Sequence, residues 1–437
     1  MKRVLLATTA LGMGAGVAFA QDAGMADDGM MEMAPPITLG GVAEMGVAGS
    51  SDDSVRFHND VNLTFTMSGT TDAGVTFGTA IELSDIENAA GRNTTNNDDH
   101  HGGIAVHMSD PDGFGTLTLG ETDGAFDWAM TEVNAGGGLR AELEHSGWNG
   151  NSGIDGRHDD QVLRWDRAIG SGFSMAASVE LDDDTDGKPG GSTHDPIVGI
   201  GGQYAMPMGG GSLTIGAGYQ MGSFDVHVEE GSMNGQAIWG AGYESTPAAV
   251  TASTGAVTPS GSNTLTGHEV DGTIVGGSVV MDFGNGLATT LNASVGEMDG
   301  TRPAATASGP IKTLDGERAY LGGGLSYTVG AISLQVNAGT NVSEYTVDAN
   351  SRATATNDVT VVEYTDTGVG FSAGYDLGGG ATLTFGVGSS EKESDWNYQS
   401  ATAPGAPSSV PAGRTLNNVH DRSTDTNKWS LGVTFAF

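Results

Sequence analysis

The chain has 437 residues, no cysteine, and 17 Lys plus Arg against 54 Asp plus Glu, a formal charge of -37 at pH 7. That charge repels a phosphate backbone and removes nucleic acid as a partner class, while the lack of cysteine removes disulfides and thiolate metal sites. The 72 glycines, set among many Thr, Ser, Asn and Asp, run against helix propensity and toward strands and turns.

Residues 1–20 read as an export signal: Lys2 and Arg3, an apolar run from Val4 to Phe19, and a small-x-small cleavage pattern at Ala18-Phe19-Ala20 before Gln21. The run is too short and too rich in Gly and Ala for a membrane-spanning helix, and no second apolar run of that length follows. Residues 21–36 form a short N-terminal extension, and 37–437 read as one β-domain.

Within that domain, apolar residues recur at every second position. Val61, Leu63, Phe65 and Met67 alternate with Asn62, Thr64, Thr66 and Ser68; Leu213, Ile215, Ala217 and Tyr219 with Ser212, Thr214, Gly216 and Gly218. Ile332 to Gly339 and Thr382 to Val387 repeat the pattern, and Trp429, Leu431, Val433, Phe435 and Phe437 close the chain in the same phase. Disorder would suit so much glycine and acid, but a period of two places one face in an apolar medium and the other in water.

Connections between these segments fall into two kinds. Short Gly/Asp turns lie at 69–74, 110–113, 170–172, 207–211, 284–286, 329–330 and 377–380, and longer polar segments lie at roughly 85–101, 122–159, 185–195, 227–269, 299–316, 347–366 and 392–426, with a short one of the same set near 49–54. Seven hairpins with a first and a last strand make sixteen strands of about 9 to 14 residues, near the roughly 9 to 11 that a tilted strand needs to cross hydrocarbon. An apolar stretch, Gly235 to Tyr243, leaves an extra hairpin and eighteen strands as the alternative. Short turns at one end and long loops at the other predict an all-β, transmembrane antiparallel barrel, and a barrel this wide keeps an aqueous bore. Trp429 near one end of the last strand and Phe437 at the other fit the aromatic girdles of such a wall. Counting back from Asn62 puts Asp60, His58 and Arg56 on the lumen side; in LRWD, Arg164 and Asp166 face in, with Leu163 and Trp165 out.

RFHNDVNLTFTMSGTTDAGVTFG at 56–78, FGTLTLGETDGAFDWAMTEV at 114–133, NGNSGIDGRHDDQVLRWD at 149–166, the MKRVLLATTALG leader and the terminal aromatic strand resemble the general diffusion porins of Gram-negative bacteria, in particular the alphaproteobacterial, Rhodobacter-like ones. The wording matches over most of the first 185 residues; residues 186–426 match in rhythm. The resemblance implies a homotrimer of 16-stranded barrels in the outer membrane, passing ions and small hydrophilic solutes by diffusion. It also implies that Phe437, Phe435 and Val433 form the tag read by the barrel assembly machinery. In such porins the third long loop folds into the bore. Here it would be about 122–159, with Glu121, Asp123, Asp127 and Glu132 at and beyond its base. Arg56 and Arg164 on the wall, facing Asp123 and Asp127, would set a transverse field across the constriction, with His58, Asp60 and Asp166 beside them. Weak cation selectivity is expected from the acid excess.

Other signals are weaker. Asp182, Asp184 and Asp186 with Gly187 fit the front of a calcium loop, but position 12 is Thr193 and a strand precedes it, so a solvated outer loop is the plainer reading. No cofactor is required, and calcium is the one ion this stretch leaves open. Asp98-Asp99-His100-His101 could ligate a transition metal, although adjacent histidines in extended chain point apart. Loop acids could also bridge divalent cations to lipopolysaccharide. Trp128 and Trp148 read as loop packing, and no Ser-His-Asp set or Gly-x-Ser-x-Gly elbow points to an enzyme. A substrate-specific channel would share the barrel. A secreted Gly/Asp-rich calcium protein would need a nonapeptide repeat that is absent.

Overall fold

The computed structural model describes residues 37–51, 54–83, 101–133, 139, 153–156, 161–181, 195–228, 265–302, 311–351, 356–402 and 419–437. The export signal, the N-terminal extension, Asp98 to His100, Trp148, the Asp182–Asp186 stretch and Gly235–Tyr243 lie outside them.

Sixteen strands form one closed antiparallel barrel in which each pairs with its neighbours in sequence and the first pairs with the last. They are β1 (Ile37–Ser50), β2 (Arg56–Thr70), β3 (Thr76–Leu83), β4 (His101–Asp110), β5 (Gly115–Glu121), β6 (Gln161–Gly170), β7 (Phe173–Glu180) and β8 (Ile197–Met208), then β9 (Gly211–Val228), β10 (Leu265–Asp282), β11 (Leu287–Arg302), β12 (Ile311–Val329), β13 (Ile332–Ser351), β14 (Thr356–Gly378), β15 (Ala381–Thr402) and β16 (Val419–Ala436). A single helical turn, α1 (Ala125–Ala129), stands between β5 and β6. The seam runs from Val42 opposite Ala436 to Ser50 opposite Lys428, and the Phe437 N–H donates to the Gly41 carbonyl at 3.0 Å.

All seven short connections are tight turns at one end of the barrel. Gly209 and Gly210, with φ of 59° and 101°, show why glycine is needed: a two-residue hairpin of the kind that matches strand twist requires positive φ at both central positions. At the other end the expected strand lengths need correction, because the strands run from 7 residues in β5 to 23 in β14. Much of the sequence at 299–316, 347–366 and 392–426 continues the wall instead of looping. Polar residues occupy both faces there, so alternation gives no signal, while the ladder of backbone hydrogen bonds carries on in water.

Outward positions are apolar and exposed: Phe57, Leu291, Val295, Leu321 and Val369 each leave half or more of their surface open. Their medium is hydrocarbon, which makes an exposed aliphatic side chain favourable there. Above this band the outward positions become acidic. Glu297 lies opposite Glu317, Glu317 opposite Glu344, Glu344 opposite Glu363 and Glu363 opposite Asp395, one row across five strands. Carboxylates are excluded from hydrocarbon, so the row marks where the band ends.

The inner face is not wet throughout, contrary to the simplest reading of the alternation. Ile197, Phe224, Val270, Ile274, Met298, Leu314, Tyr345 and Tyr364, on β8 to β14, are buried with Phe126, Met130 and Ile154 of the β5–β6 loop in one cluster. Period two fixes the side a residue faces; what covers that side decides its medium.

Candidate functional site

Gly124 precedes α1 without a side-chain cap, and the turn closes through Trp128 N–H to Gly124 O and Met130 N–H to Asp127 O, each 3.0 Å. So short a helix gains little from its own hydrogen bonds and depends on what it packs against. Its seat is a patch of glycine on β8 and β9. Gly201 stands opposite Gly218, flanked by the pairs Gly199–Gln220 and Gln203–Gly216. A Cβ at Gly218 would come within 2.9 Å of the Phe126 Cα; one at Gly201 would collide with Ala125 O, and one at Gly216 with Ala129 O. Backbone therefore lies on backbone, inside the barrel.

From this seat the loop follows the wall, tied at successive strands by neutral side chains. Ser178 Oγ on β7 accepts from Ala125 N at 2.9 Å, and Gln203 Nε2 on β8 donates to Trp128 O at 2.8 Å. Ser278 Oγ on β10 accepts from Thr131 N at 2.9 Å, while Asn292 Nδ2 on β11 donates to Thr131 O at 2.7 Å. Val133 lies over Gly324 of β12. Leu139 N donates to Ser430 Oγ of β16 at 3.1 Å, and the Leu139 side chain fills the space above Gly46 and Gly432 at the seam. The returning limb is bound too: Gly153 N donates to both Asp127 carboxylate oxygens at 3.0 and 3.2 Å, and Gly156 N to Glu180 Oε2 at 2.8 Å. The chain thus carries an inner girdle from β7 to β12 and again at β16, narrowing the bore.

A model of the Gram-negative porin family matches residues 7–343, well over half of the sequence. The chain belongs to the Gram-negative porin family. A closed sixteen-stranded barrel of that family is a multi-pass protein of the outer membrane. A porin of Rhodobacter capsulatus is 29% identical over 192 residues, 42% of this chain and 56% of that protein, so the chain spans little more than half the length of this curated relative. Among solved structures, a Rhodopseudomonas blastica porin triple mutant is 16% identical with a TM-score of 0.47, and in-vitro folded OmpT from Vibrio cholerae is 9% identical with a TM-score of 0.49. Each comparison covers 92% of this chain and 100% of the other.

In this porin the ionisable residues singled out in the sequence divide into two groups. The first surrounds α1. Arg164, on the inner face of β6, donates from Nη1 to Asp123 O at 2.6 Å and to Thr122 Oγ1 at 3.2 Å, and its Nε lies 3.4 Å from Asp166 Oδ1. Arg164 therefore braces the base of the loop instead of facing it across a gap. Glu121 ends β5, and Asp123, Asp127 and Glu132 are half-buried along the outgoing limb. Burial, with the Asp155 carboxylate next in weight and Glu132 after it, pushes the Asp123 carboxyl up to about 7 against the opposing charge of Arg164. Asp127 is raised well above the usual carboxylate range by burial and then by Asp155 and Asp123, although the Gly153 N–H works the other way. The second group is on β2, four strands from β6 in the barrel order. Arg56 opens that strand and is exposed, whereas His58 and Asp60 are buried on its inner face. His58 Nε2 lies 3.1 Å from Glu44 Oε2 of β1, and Asn62 Nδ2 donates to Asp60 Oδ2 at 3.2 Å.

Sequence reasoning missed Glu44, Asp155, Gln220 and Arg318. Arg318, buried on β12 with its Nε donating to Asn341 Oδ1 at 3.0 Å, lies within electrostatic reach of Asp127. Glu44 and Gln220 each hold an inward phase of their strand next to glycine, a polar side chain beside a gap, and that was the available signal. Nothing in the spacing marked Asp155. Among the described residues no group of three or more His, Asp or Glu is arranged to hold a metal ion.

Proposed function

We propose that this porin forms a water-filled channel for passive diffusion of ions and small hydrophilic solutes, with a weak preference for cations. The observation that carries the reading is the β5–β6 loop seated on glycine inside the barrel, which narrows a bore too wide for side chains to fill. Solutes pass through the part of the bore that the girdle leaves open. Cation preference follows from the formal charge of -37 and, as pH rises through about 7, from the ionising carboxyl of Asp123. Assembly as a homotrimer, contact with lipopolysaccharide, and reading of Phe437, Phe435 and Val433 by the assembly machinery belong to the same proposal and rest on the family resemblance.

Single-channel recording in planar bilayers, with the reversal potential measured in a salt gradient, tests it. Discrete steps and a reversal potential of cationic sign are expected. Absence of steps would refute the open channel, and a strong anion preference would refute the charge argument. Cross-linking of the purified protein in detergent reads the oligomer.

A further inference from the structure

The wall groups that tie the girdle do not all do the same thing. Ser178, Gln203 and Ser278 each bond the outgoing limb. Gln220, on β9 and almost fully buried, binds the returning limb twice and reaches the outgoing limb through Asp155. Its Oε1 accepts from Ile154 N of the returning limb at 2.7 Å, and its Nε2 donates to Asp155 Oδ1 at 2.8 Å. The second oxygen of that carboxylate, Oδ2, accepts from Gly124 N of the outgoing limb at 2.7 Å. Wall and returning limb thereby close one hydrogen-bonded ring, and Asp155 ties the outgoing limb to it just ahead of α1.

The amide suits the ring at every pH. One position needs an acceptor for a backbone N–H and the other a donor for a carboxylate, and the Gln amide presents both from one planar group without a change of protonation, whereas a carboxyl side chain does so only when protonated. Turning the amide over would set its NH2 against the Ile154 N–H and its oxygen against the Asp155 carboxylate, so the two partners fix its orientation. Close approach is secured by glycine, since a Cβ at Gly153 would collide with Gln220 Oε1. We propose that Gln220 is the positioning residue of the constriction: it holds both limbs of the inner loop at a set distance from β9 and so sets the width of the channel. This rests on the channel reading above.

The test compares the full-length protein with Gln220→Leu, Gln220→Glu and the exchanged pair Gln220→Glu with Asp155→Asn, by single-channel recording and by labelling of a cysteine placed at buried Ile154 in this otherwise cysteine-free chain. Leu removes both bonds and is expected to raise the share of time in wide substates about tenfold or more, since each buried hydrogen bond is worth about one such factor. Glu keeps the acceptor for Ile154 but sets a carboxylate against Asp155. Wide substates and fast maleimide labelling are expected at neutral pH, and both return toward wild type in acid, where a protonated Glu can donate again. In the exchanged pair, the amide now at position 155 donates to the carboxylate now at position 220 and still accepts from Gly124, so a uniform step and slow labelling are restored. Folded Glu and Leu variants that match wild type in step size and labelling rate would overturn the proposal, as would an exchanged pair that folds without restoring either. If the Leu variant does not fold, the Glu variant and the exchanged pair decide. A wild type without steps counts against the channel, and the labelling rates still read the clamp.

Discussion

The two faces of β11 carry opposite residues in opposite circumstances. Leu291 and Val295 point outward and are more than half exposed, whereas Asn292 and Ser294, between and beside them, point inward and are almost wholly covered. In a water-soluble domain the assignments would be reversed. Exposure here is contact with hydrocarbon, and burial is the attachment of an inner loop to a polar lining. The difference teaches that one alternation serves two solvents, and that the inner face is given over to holding the girdle as much as to conducting water.

Breaking the inner seat should have the largest effect. Phe126 is fully buried between Gly218 and the apolar cluster, so Phe126→Ala is expected to cost about 3–5 kcal/mol of loop docking and to enlarge the conductance step while the barrel stays closed. Heat-modified mobility on gels reads the barrel and single-channel recording reads the loop; an unchanged step would break the distinction drawn between the faces. On the outer side, Leu291→Arg should cost about 2–4 kcal/mol in denaturant titrations in lipid and leave the step unchanged. Gly218→Val sharpens the contrast at one strand: its Cβ meets the Phe126 Cα, overpacking of about 1–3 kcal/mol is expected, and the loop, not the wall, gives way.

The smallest expected effect is one of pH. The Asp123 carboxyl titrates at about 7 in the folded chain against an ordinary 3.8. A carboxyl whose folded value is raised gives its full contribution to docking below about 3.8, and that contribution is lost progressively as pH rises to about 7. Current noise should therefore increase between about pH 4 and about pH 7 and level off above it, cation preference should rise through about pH 7, and Asp123→Asn should flatten both changes. A variant with the same pH dependence as wild type would assign the titration elsewhere.

The barrel was legible because hydrocarbon imposes a strict rule: every outward residue in the band must be apolar, and each turn at one end needs the positive φ that glycine supplies at Gly209 and Gly210. Where the medium on both sides is water, as along the upper parts of β13 to β15, that rule lapses and strand boundaries could not be read. The constriction was legible only in part. Asp123, Asp127 and Arg164 lie where the inner loop meets the wall, but the contact between them is set by Gly201, Gly216, Gly218 and Gln220. These belong to strands far from the loop in sequence, and in the alternation Gly216 and Gly218 read only as wet positions.

The seam between β1 and β16 sets the order in which such a wall can be completed. Every other strand pairs with its sequence neighbour, a local event with a small loop-closure cost, whereas Val42 meets Ala436 across nearly the whole polypeptide. Until that contact forms, both terminal strands offer unpaired edges that could zip onto a second molecule. Closure is thus the slow, high-contact-order step of folding, and the danger of aggregation is greatest just before it.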